Sequence, residues 1–465
     1  MDVFRNSEKG MALPAVIMVM LITFTLSAAV LTMGTSQAKT EITYESNTQA
    51  LQAAEAGLNM YLWYINKEGS SIELDTVITY PDTNPKYAFV LHEIEATNAQ
   101  KKVTSTGWSI NNPDIKKTVS AVFKRKTFTE YVYFTHEEPS PIWWMTGEKC
   151  YGPLRTNSKL YIQGRPIFYG EVYYADRIEP GTGYNPDFRK GAFHVEELAL
   201  PTSNTTLAQL AKDDGLHFEG RTSIMMNNNG TLSIWNPGDG KKENPVKVYD
   251  MPKNGVIYVD NIEGADTNNI FDKKVGNVFI SGNLKGRLTV AAANNIYITD
   301  YNPTIEKFNQ TRKEGQTNGV NYVSTSFYKQ EDGFIAIGND MLGLIANNDV
   351  ILHTEGWFDD TKNKASKVAD GDINVYAAVM AIEGSFKNIN YDKYPTNSEK
   401  ATVTLRGALI QKRRGEVGQT KTYIFGIKES TGYKKDYAHD TRMLSEQPPY
   451  FLEPASSGWE ISAWQ

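Results

Sequence analysis

Residues with reactive side chains are few and scattered along the 465-residue chain. The single cysteine, Cys150, has no second thiol for a disulfide, and the six histidines lie far apart in sequence. His92 lies beside Glu93 and Glu95, but neighbouring residues of a strand point to opposite faces, so solvated charges explain this group better than a metal site. We therefore expect no metal or cofactor, and we interpret Cys150 as an incidental buried residue.

Two acidic clusters are the best remaining candidates for catalysis, Asp359-Asp360 and Asp370-Gly371-Asp372. Glycoside hydrolysis uses such pairs of carboxylates, but neither cluster fits a calcium-binding loop. Both lie in stretches that interrupt the strand pattern, where charged loop tips are common. The chain also lacks the phosphate-loop, zinc-protease and serine-hydrolase motifs. The sequence therefore predicts a protein that is not an enzyme.

Composition limits the class of partner. The net charge is −6 and the pI is about 5.7, so the chain has no basic surface for nucleic acid. Apolar residues make up 40% and charged residues 22%, which is typical of a folded chain. The length predicts two to three domains or one elongated repeat structure.

The N-terminal segment carries an uncharged apolar run from Met11 to Met33, and the next charge is Lys39. This run is long enough to span a bilayer as a helix and longer than the apolar part of a usual secretory signal. Arg5 and Lys9 precede it and favour a cytoplasmic leader. We therefore expect a single pass of the inner membrane, with the rest of the chain outside the cytoplasm.

The helical pattern continues beyond the apolar run. Apolar residues recur every three or four positions at Leu51, Ala54, Leu58, Leu62 and Ile65. This spacing predicts one continuous helix over about residues 11–68, with its first half in lipid and its second half carrying an apolar stripe. Glu55 lies within this second half, and a solvated helix face explains it.

The leader that ends in Lys9-Gly10, directly before a retained apolar helix, resembles the class III signal of type IV pilins and type II secretion pseudopilins. The resemblance implies that a prepilin peptidase cuts between Gly10 and Met11 and that the new N-terminus is methylated. It also implies other pilins or pseudopilins and inner-membrane lipid as partners. The alternative is an uncleaved signal-anchor.

One position departs from the major pilins, which carry glutamate five residues after the cut. This chain has Ala15 there, an absence shared with minor pilins of the PilX type and with the largest minor pseudopilin. The stretch LQAAEAGLNMYL from Leu51 to Leu62 is also similar to the PilX-type N-terminal region. The resemblance implies a subunit at the filament tip or in the initiation complex.

Strand patterns begin after the helix. YAFVLHEIEA, KKVTSTGWSI and KKTVSAVFKR alternate apolar and polar residues and predict a small antiparallel module over residues 69–128. Residues 129–465 show short β-rich stretches with Asn at their corners. AANNIYIT and ANNDVILH are almost superimposable. The fold class we expect is mainly β with one long N-terminal helix, and the second domain is an irregular right-handed β-helix or, alternatively, a β-sandwich.

The stretch GPLRTNSKLYIQGRPIFYGEV, from Gly152, resembles the start of solenoid-like domains that follow PilX-type helices in bacterial envelope proteins. We expect the C-terminal tail to cap the last coil. The function we expect is a minor pilin or pseudopilin-like structural subunit. The alternative is a membrane-anchored surface adhesin or glycan-binding protein.

Overall fold

The computed structural model describes residues 12–67, 71–81, 83–96, 100–139, 142–236, 246–270, 272–299, 301–302, 307–308, 318–353, 372–389, 391, 401–422, 428–454 and 458–464. The chain forms two compact units. Unit 1 combines residues up to 96 with residues 100–124 and 459–465, and unit 2 comprises residues 125–458 together with 97–99. The molecule is mainly β with one long apolar helix at its N-terminus, as the sequence predicted.

Unit 1 contains the long helix and an antiparallel sheet. Helix α1 spans Ala12–Asn66 without interruption, since Pro14 lies in the first turn, where its missing N–H leaves no helical bond unmade. The strands that follow are β1 (Val77–Tyr80), β2 (Tyr87–Ala96), β3 (Gln100–Ser109) and β4 (Asn112–Arg125). They pair in sequence order, each antiparallel to the next.

The second half of α1 packs on this sheet through small residues. Ala50, Ala53 and Ala54 are buried, and Leu58 and Tyr61 join the core that the sheet provides. Their burial excludes water from about three turns of helix. Each fully buried large apolar side chain contributes roughly 1.5–3 kcal/mol. The first half of the helix contributes nothing to this core, because its described side chains from Leu13 to Glu45 are exposed.

A fifth strand of this sheet comes from the other end of the chain. Trp459–Trp464, here called the C-terminal strand, adds to the edge of β4. The side-chain amide of Asn66 accepts from the Trp459 N–H at 2.7 Å and donates to its carbonyl at 3.0 Å. The tail was expected to cap the last coil. Its final strand instead completes the sheet of unit 1, where it finds an unpaired strand edge.

Most strands of unit 2 are short and pair in parallel, whereas a few neighbouring strands pair antiparallel. A first array of coils contains β5 (Tyr133–Glu137), β6 (Lys149–Tyr151), β7 (Leu154–Thr156), β8 (Leu160–Ile162), β9 (Ile167–Phe168), β10 (Val172–Tyr174), β11 (Ile178–Pro180), β12 (Asp187–Phe188) and β13 (Ala192–His194). A second helix, α2, spans Thr206–Asp213.

The second array begins after α2. Its strands are β14 (Leu216–Glu219), β15 (Thr222–Met226), β16 (Leu232–Trp235), β17 (Lys247–Tyr249), β18 (Val256–Asp260), β19 (Val278–Leu284), β20 (Arg287–Ala292), β21 (Ile296–Ile298), β22 (Tyr301–Asn302), β23 (Lys307–Phe308), β24 (Asn318–Tyr322), β25 (Ser326–Lys329), β26 (Phe334–Ile337), β27 (Met341–Ala346), β28 (Val350–Leu352), β29 (Ile373–Ala381), β30 (Phe386–Asn388), β31 (Thr402–Arg413), β32 (Gly418–Thr422), β33 (Lys428–Gly432) and β34 (Lys434–His439).

Each coil has three sides that repeat in the same order. In the second array β20, β21 and β24 form one coil, and each pairs in parallel with the matching strand of the next coil, β27, β28 and the start of β29. The first array repeats the scheme more tightly, with β5, β7, β10 and β13 stacked in parallel along one side. A β-sandwich would pair its strands antiparallel, so the parallel ladders argue against that alternative.

The stacking order differs from the sequence order. The end of β31 pairs in parallel with β5, and β34 pairs with β6, so the last coil of the second array lies directly against the first coil of the first array. The chain therefore enters unit 2 in the middle of the stack and winds to the end at β13. It then crosses to the opposite end at β14 and winds back to the middle.

A return segment, residues 195–205, makes this crossing. Leu198 exchanges two hydrogen bonds with the side chain of Asn157 in the first array. Asn204 donates to the carbonyls of Ala292 and Ile345 in the second array, at 2.8 and 3.2 Å. The return segment therefore lies along one side of the stack, and it buries the outer face of that side.

An asparagine ladder closes one corner of the second array. Asn294 donates to Asn277 of the coil before it at 2.8 Å, and Asn348 of the following coil donates to Asn294 at 2.5 Å. The ladder joins the two nearly superimposable stretches of the sequence, because Ala292 pairs with Ala346 and Ile296 with Val350. An amide carries both a donor and an acceptor, so the same residue bonds in both directions along a stack.

Candidate functional site

The exposed half of α1 is the largest functional candidate outside the folded cores. From Leu13 to Met33 it has no charged residue and its side chains are exposed, for example Leu13 at 71% and Phe24 at 74%. Twenty-one helical residues extend about 31 Å, close to the roughly 30 Å of a bilayer's hydrocarbon core. One helix among the described residues is thus long and apolar enough to cross a membrane.

The hydroxyl groups in this segment are satisfied within the helix itself. The side chains of Thr23, Thr25, Ser27 and Thr32 each donate to a carbonyl one turn earlier, at 2.8–3.0 Å. In lipid, no water is present to take the place of such bonds. The segment therefore exposes an almost wholly apolar surface, suited to lipid or to other apolar helices.

The residues predicted to belong to the assembly helix, Ala15, Leu51, Ala54, Glu55 and Leu58, differ in exposure. Ala54 and Leu58 are buried against the sheet of unit 1, whereas Leu51 is 41% exposed and Glu55 is also exposed. Ala15 is exposed on the apolar half. Gly10 and Met11, the predicted processing site, lie outside the described residues. Of the five helix residues, Ala15, Leu51 and Glu55 remain accessible to a neighbouring subunit.

Gly57 and Gly107 belong to the interface between α1 and its sheet and were not identified from the sequence. A Cβ on Gly57 would lie 2.7 Å from a ring carbon of Phe89, and one on Gly107 would lie 2.7 Å from the carbonyl oxygen of Ala50. The small-residue pattern of LQAAEAG was the available signal. Its meaning depended on the approach of β3, which the sequence does not reveal.

Two reactive side chains considered in the sequence, Cys150 and His92, lie in different units of the fold. Burial raises the pKa of Cys150 to about 12, so its thiol stays protonated while it is buried. His92 is exposed and contacts Asp75 at 2.7 Å, while Glu93 faces α1 and accepts from Tyr61 at 2.7 Å. The two side chains thus lie on opposite faces, as strand geometry predicts.

The acidic clusters give no further support to catalysis. Asp359, Asp360 and Asp370 lie outside the described residues, and Asp372 accepts a hydrogen bond from the Thr402 N–H at 2.8 Å. This bond ties the start of one coil to the next and is a structural role. Within the described ranges, no group of three or more His, Cys, Asp or Glu side chains is placed to hold a metal ion.

Two histidines in unit 2 are perturbed by burial. Burial lowers the pKa of His353 to about 4, and its ring packs edge-on against Phe279 and Tyr297. Burial also lowers the pKa of His217, which lies 3.8 Å from Asp260. Both imidazoles are therefore neutral near pH 7 and act as core aromatics.

Comparison with known proteins identifies no relative, because no family model, no curated protein and no solved structure matches this chain. The functional argument therefore depends on the geometry of the chain itself.

Proposed function

We propose that this protein is a minor pilin or pseudopilin-like structural subunit, held in the inner membrane by α1 before assembly. The supporting observation is the division of one continuous helix into two halves. The half from Leu13 to Met33 is uncovered and apolar, and the half from Ser46 to Tyr61 is docked on its own sheet. A helix built this way holds a folded unit at a membrane and can later exchange lipid for like helices.

In this proposal a prepilin peptidase removes the leader after Gly10, and methylated Met11 becomes the N-terminus. Ala15 offers no carboxylate to the N-terminal amine of a neighbouring subunit, which favours a place at the filament tip or in the initiation complex. Burying an unpaired carboxylate in lipid is costly, so a subunit without that neighbour is more stable with alanine. Unit 2 would be displayed outside the cytoplasm as an irregular β-helix, and its right-handed winding stays a prediction.

The alternative is a membrane-anchored adhesin or glycan-binding protein. The observation that favours it is a partly exposed aromatic pair on the first array, Trp143 and Tyr161, whose ring centroids lie 5.4 Å apart at 81°. Aromatic faces of this kind can stack on sugar rings. Binding of the detergent-purified chain to a glycan array, lost in Trp143→Ala, would favour this alternative.

The mature N-terminus tests the proposal. Mass spectrometry of the protein from membranes of cells with an active prepilin peptidase should find a chain that begins at methylated Met11. A Gly10→Val variant should keep the leader, because it replaces the glycine after which the peptidase is proposed to cut. An intact Met1 in the wild-type protein from those cells would contradict the proposal and leave the anchored adhesin.

A further inference from the structure

The two coil arrays of unit 2 meet at a junction where charges are segregated by sign. Three ion pairs cross it, at 2.9, 3.1 and 2.7 Å: Arg413 with Glu137, Arg414 with Glu138, and Lys435 with Glu148. Every cation comes from the second array and every carboxylate from the first. The three pairs are thus complementary in charge, whereas Asp436, next to Lys435 in β34, is paired with Arg406 inside the second array.

The central pair of the junction is buried. The side chain of Arg414 is 2% exposed and that of Glu138 is fully buried. Thr135 donates to Glu138 at 2.6 Å, and Arg414 also donates to the carbonyl of Ile142 at 3.0 Å. The guanidinium lies 4.9 Å from the ring centroid of Trp144. The pair is therefore held in a defined geometry and not as a loose surface contact.

The third pair, Lys435 with Glu148, is partly exposed and places one charge on each side of the junction. Burial would raise the pKa of Glu148, but Lys435 and Arg414 outweigh it and hold this pKa below its usual value. The backbone N–H of Met145 also donates to the Glu148 carboxylate at 2.7 Å. Glu148 is therefore ionised at neutral pH, and the first array presents its charge to the second.

The junction buries a charged pair in addition to its apolar core. Between β20 and β27 the inward residues are aliphatic, among them Leu288, Val290 and Leu344. At the junction, Nη2 of Arg414 and the indole N–H of Trp144 are buried without a hydrogen-bond partner in the described part of the chain. Desolvated charges and unpaired donors offset much of what an ion pair gains. The charged pairs of the junction therefore stabilise it less than their number alone would imply.

We propose that the junction is a docking interface between two separately formed coil arrays, which opens and closes while both arrays remain folded. The cationic face, formed by Arg413, Arg414 and Lys435, fits one partner on this chain, the acidic coil end of the first array. Two cationic faces from different copies would bury like charges against each other, so the segregation of sign disfavours that wrong pairing. When the junction closes, the last coil of the second array stacks on the first coil of the first array. This contact makes the stacking order differ from the sequence order.

Cys150 provides a native probe of this opening. It lies in β6, pairs with Tyr437 of β34 across the junction and is fully buried. We expect a thiol reagent to label Cys150 of the full-length protein in detergent faster than the protein unfolds globally. Glu138→Gln should raise the labelling rate at fixed pH by about 100-fold or more, because removing one partner leaves Arg414 buried and uncompensated.

Asp349→Asn is the matched control. It removes a carboxylate whose partners, Lys387 at 2.5 Å and the Ser385 N–H at 2.8 Å, both belong to the second array. It should leave the labelling rate of Cys150 within about threefold of wild type, the size expected for a partly exposed pair. An equal acceleration in both variants would overturn the proposal.

A second measurement on the wild-type protein does not depend on how a variant folds. Hydrogen exchange gives the opening free energies of amides in β7 and β27, which lie inside the two arrays, for comparison with the opening measured at Cys150. The proposal requires that Cys150 becomes reactive in an opening at least tenfold more populated than the one that exposes those amides. Equal populations would mean that the thiol reacts through global unfolding, and the proposal would be wrong.

Discussion

Gly107 fixes how closely α1 approaches its sheet. A Cβ at this position would collide with the backbone of Ala54 and come within 2.7 Å of the carbonyl oxygen of Ala50. The obstacle is helix backbone, which no rotamer change can move. The small residues of the helix are visible in the sequence, but their counterpart on β3 is not. A glycine inside a strand does not indicate which element packs against it.

Gly107→Ala should therefore destabilise unit 1. Forcing a methyl group into a closely packed interface costs about 1–3 kcal/mol, and here the helix must lift. We expect faster hydrogen exchange in the Ser46–Tyr61 part of α1, by about tenfold or more. Gly34→Ala, in the exposed half of α1, is the control, since nothing lies within 4 Å of its added Cβ. Unchanged exchange in Gly107→Ala would refute the assigned contact.

At the scale of elements, the asparagine ladder shows what holds neighbouring coils in register. Asn294 is 1% exposed and bonds to Asn277 on one side and Asn348 on the other. The two hydrogen bonds of its amide take the place of the hydrogen bonds to water that burial removes. An apolar residue at this corner could not make them. Recurring Asn pairs in the sequence predicted such corners, and the paired registers of β20 with β27 and β21 with β28 bear the prediction out.

Asn294→Ala should loosen that corner. It leaves the Asn348 amide without its acceptor, while Asn277 keeps one of two donors, the Asn295 N–H at 3.1 Å. An unsatisfied buried group costs about 1–3 kcal/mol. We expect a lower urea midpoint for unit 2, together with faster exchange in β21 and β28. Asn185→Ala, at an exposed corner of the first array, should leave both unchanged. A midpoint equal to wild type in Asn294→Ala would show that the ladder is energetically neutral.

At the scale of the whole molecule, unit 2 is inserted in the chain between two strands of unit 1. The sheet of unit 1 stays incomplete until Trp459–Trp464 is synthesised, more than 330 residues after β4 ends at Arg125. Trp459 also packs in the core of unit 1, and the Lys101 ammonium lies 5.5 Å from its ring centroid. The last strand to be synthesised thus completes the unit whose other strands are synthesised first.

A stop codon after Gly458 tests this dependence. Removal of the C-terminal strand should expose the edge of β4 and raise its amide exchange by about tenfold or more, since its hydrogen bonds to that strand are lost. Exchange in β20 and β27 of unit 2 should stay as in wild type. An edge left open is also prone to self-association, so light scattering should detect larger particles. Unchanged exchange in β4 would contradict the role assigned to the strand.

The sequence by itself determined the features that depend on short windows of chain. An uncharged run from Met11 to Met33 specifies an apolar helix wherever it folds, and alternating strands with Asn corners specify coils that must stack to bury their inward faces. The same kind of window predicted that the side chains of His92 and Glu93 point to opposite faces of their strand. These are consequences of helix and strand periodicity, which each stretch carries alone.

Only the tertiary structure decided which distant stretches meet. The pairing of β31 with β5, the return segment and the C-terminal strand on β4 all join residues separated by more than 50 positions or placed at opposite ends of the stack. Many strand edges in this chain are alike in pattern, so periodicity cannot rank their pairings. The complementary charges of Arg414 and Glu138 favour the observed pairing of the two arrays. The space left by Gly107 favours the observed packing of α1 on its sheet. Both properties belong to pairs of surfaces and not to single segments.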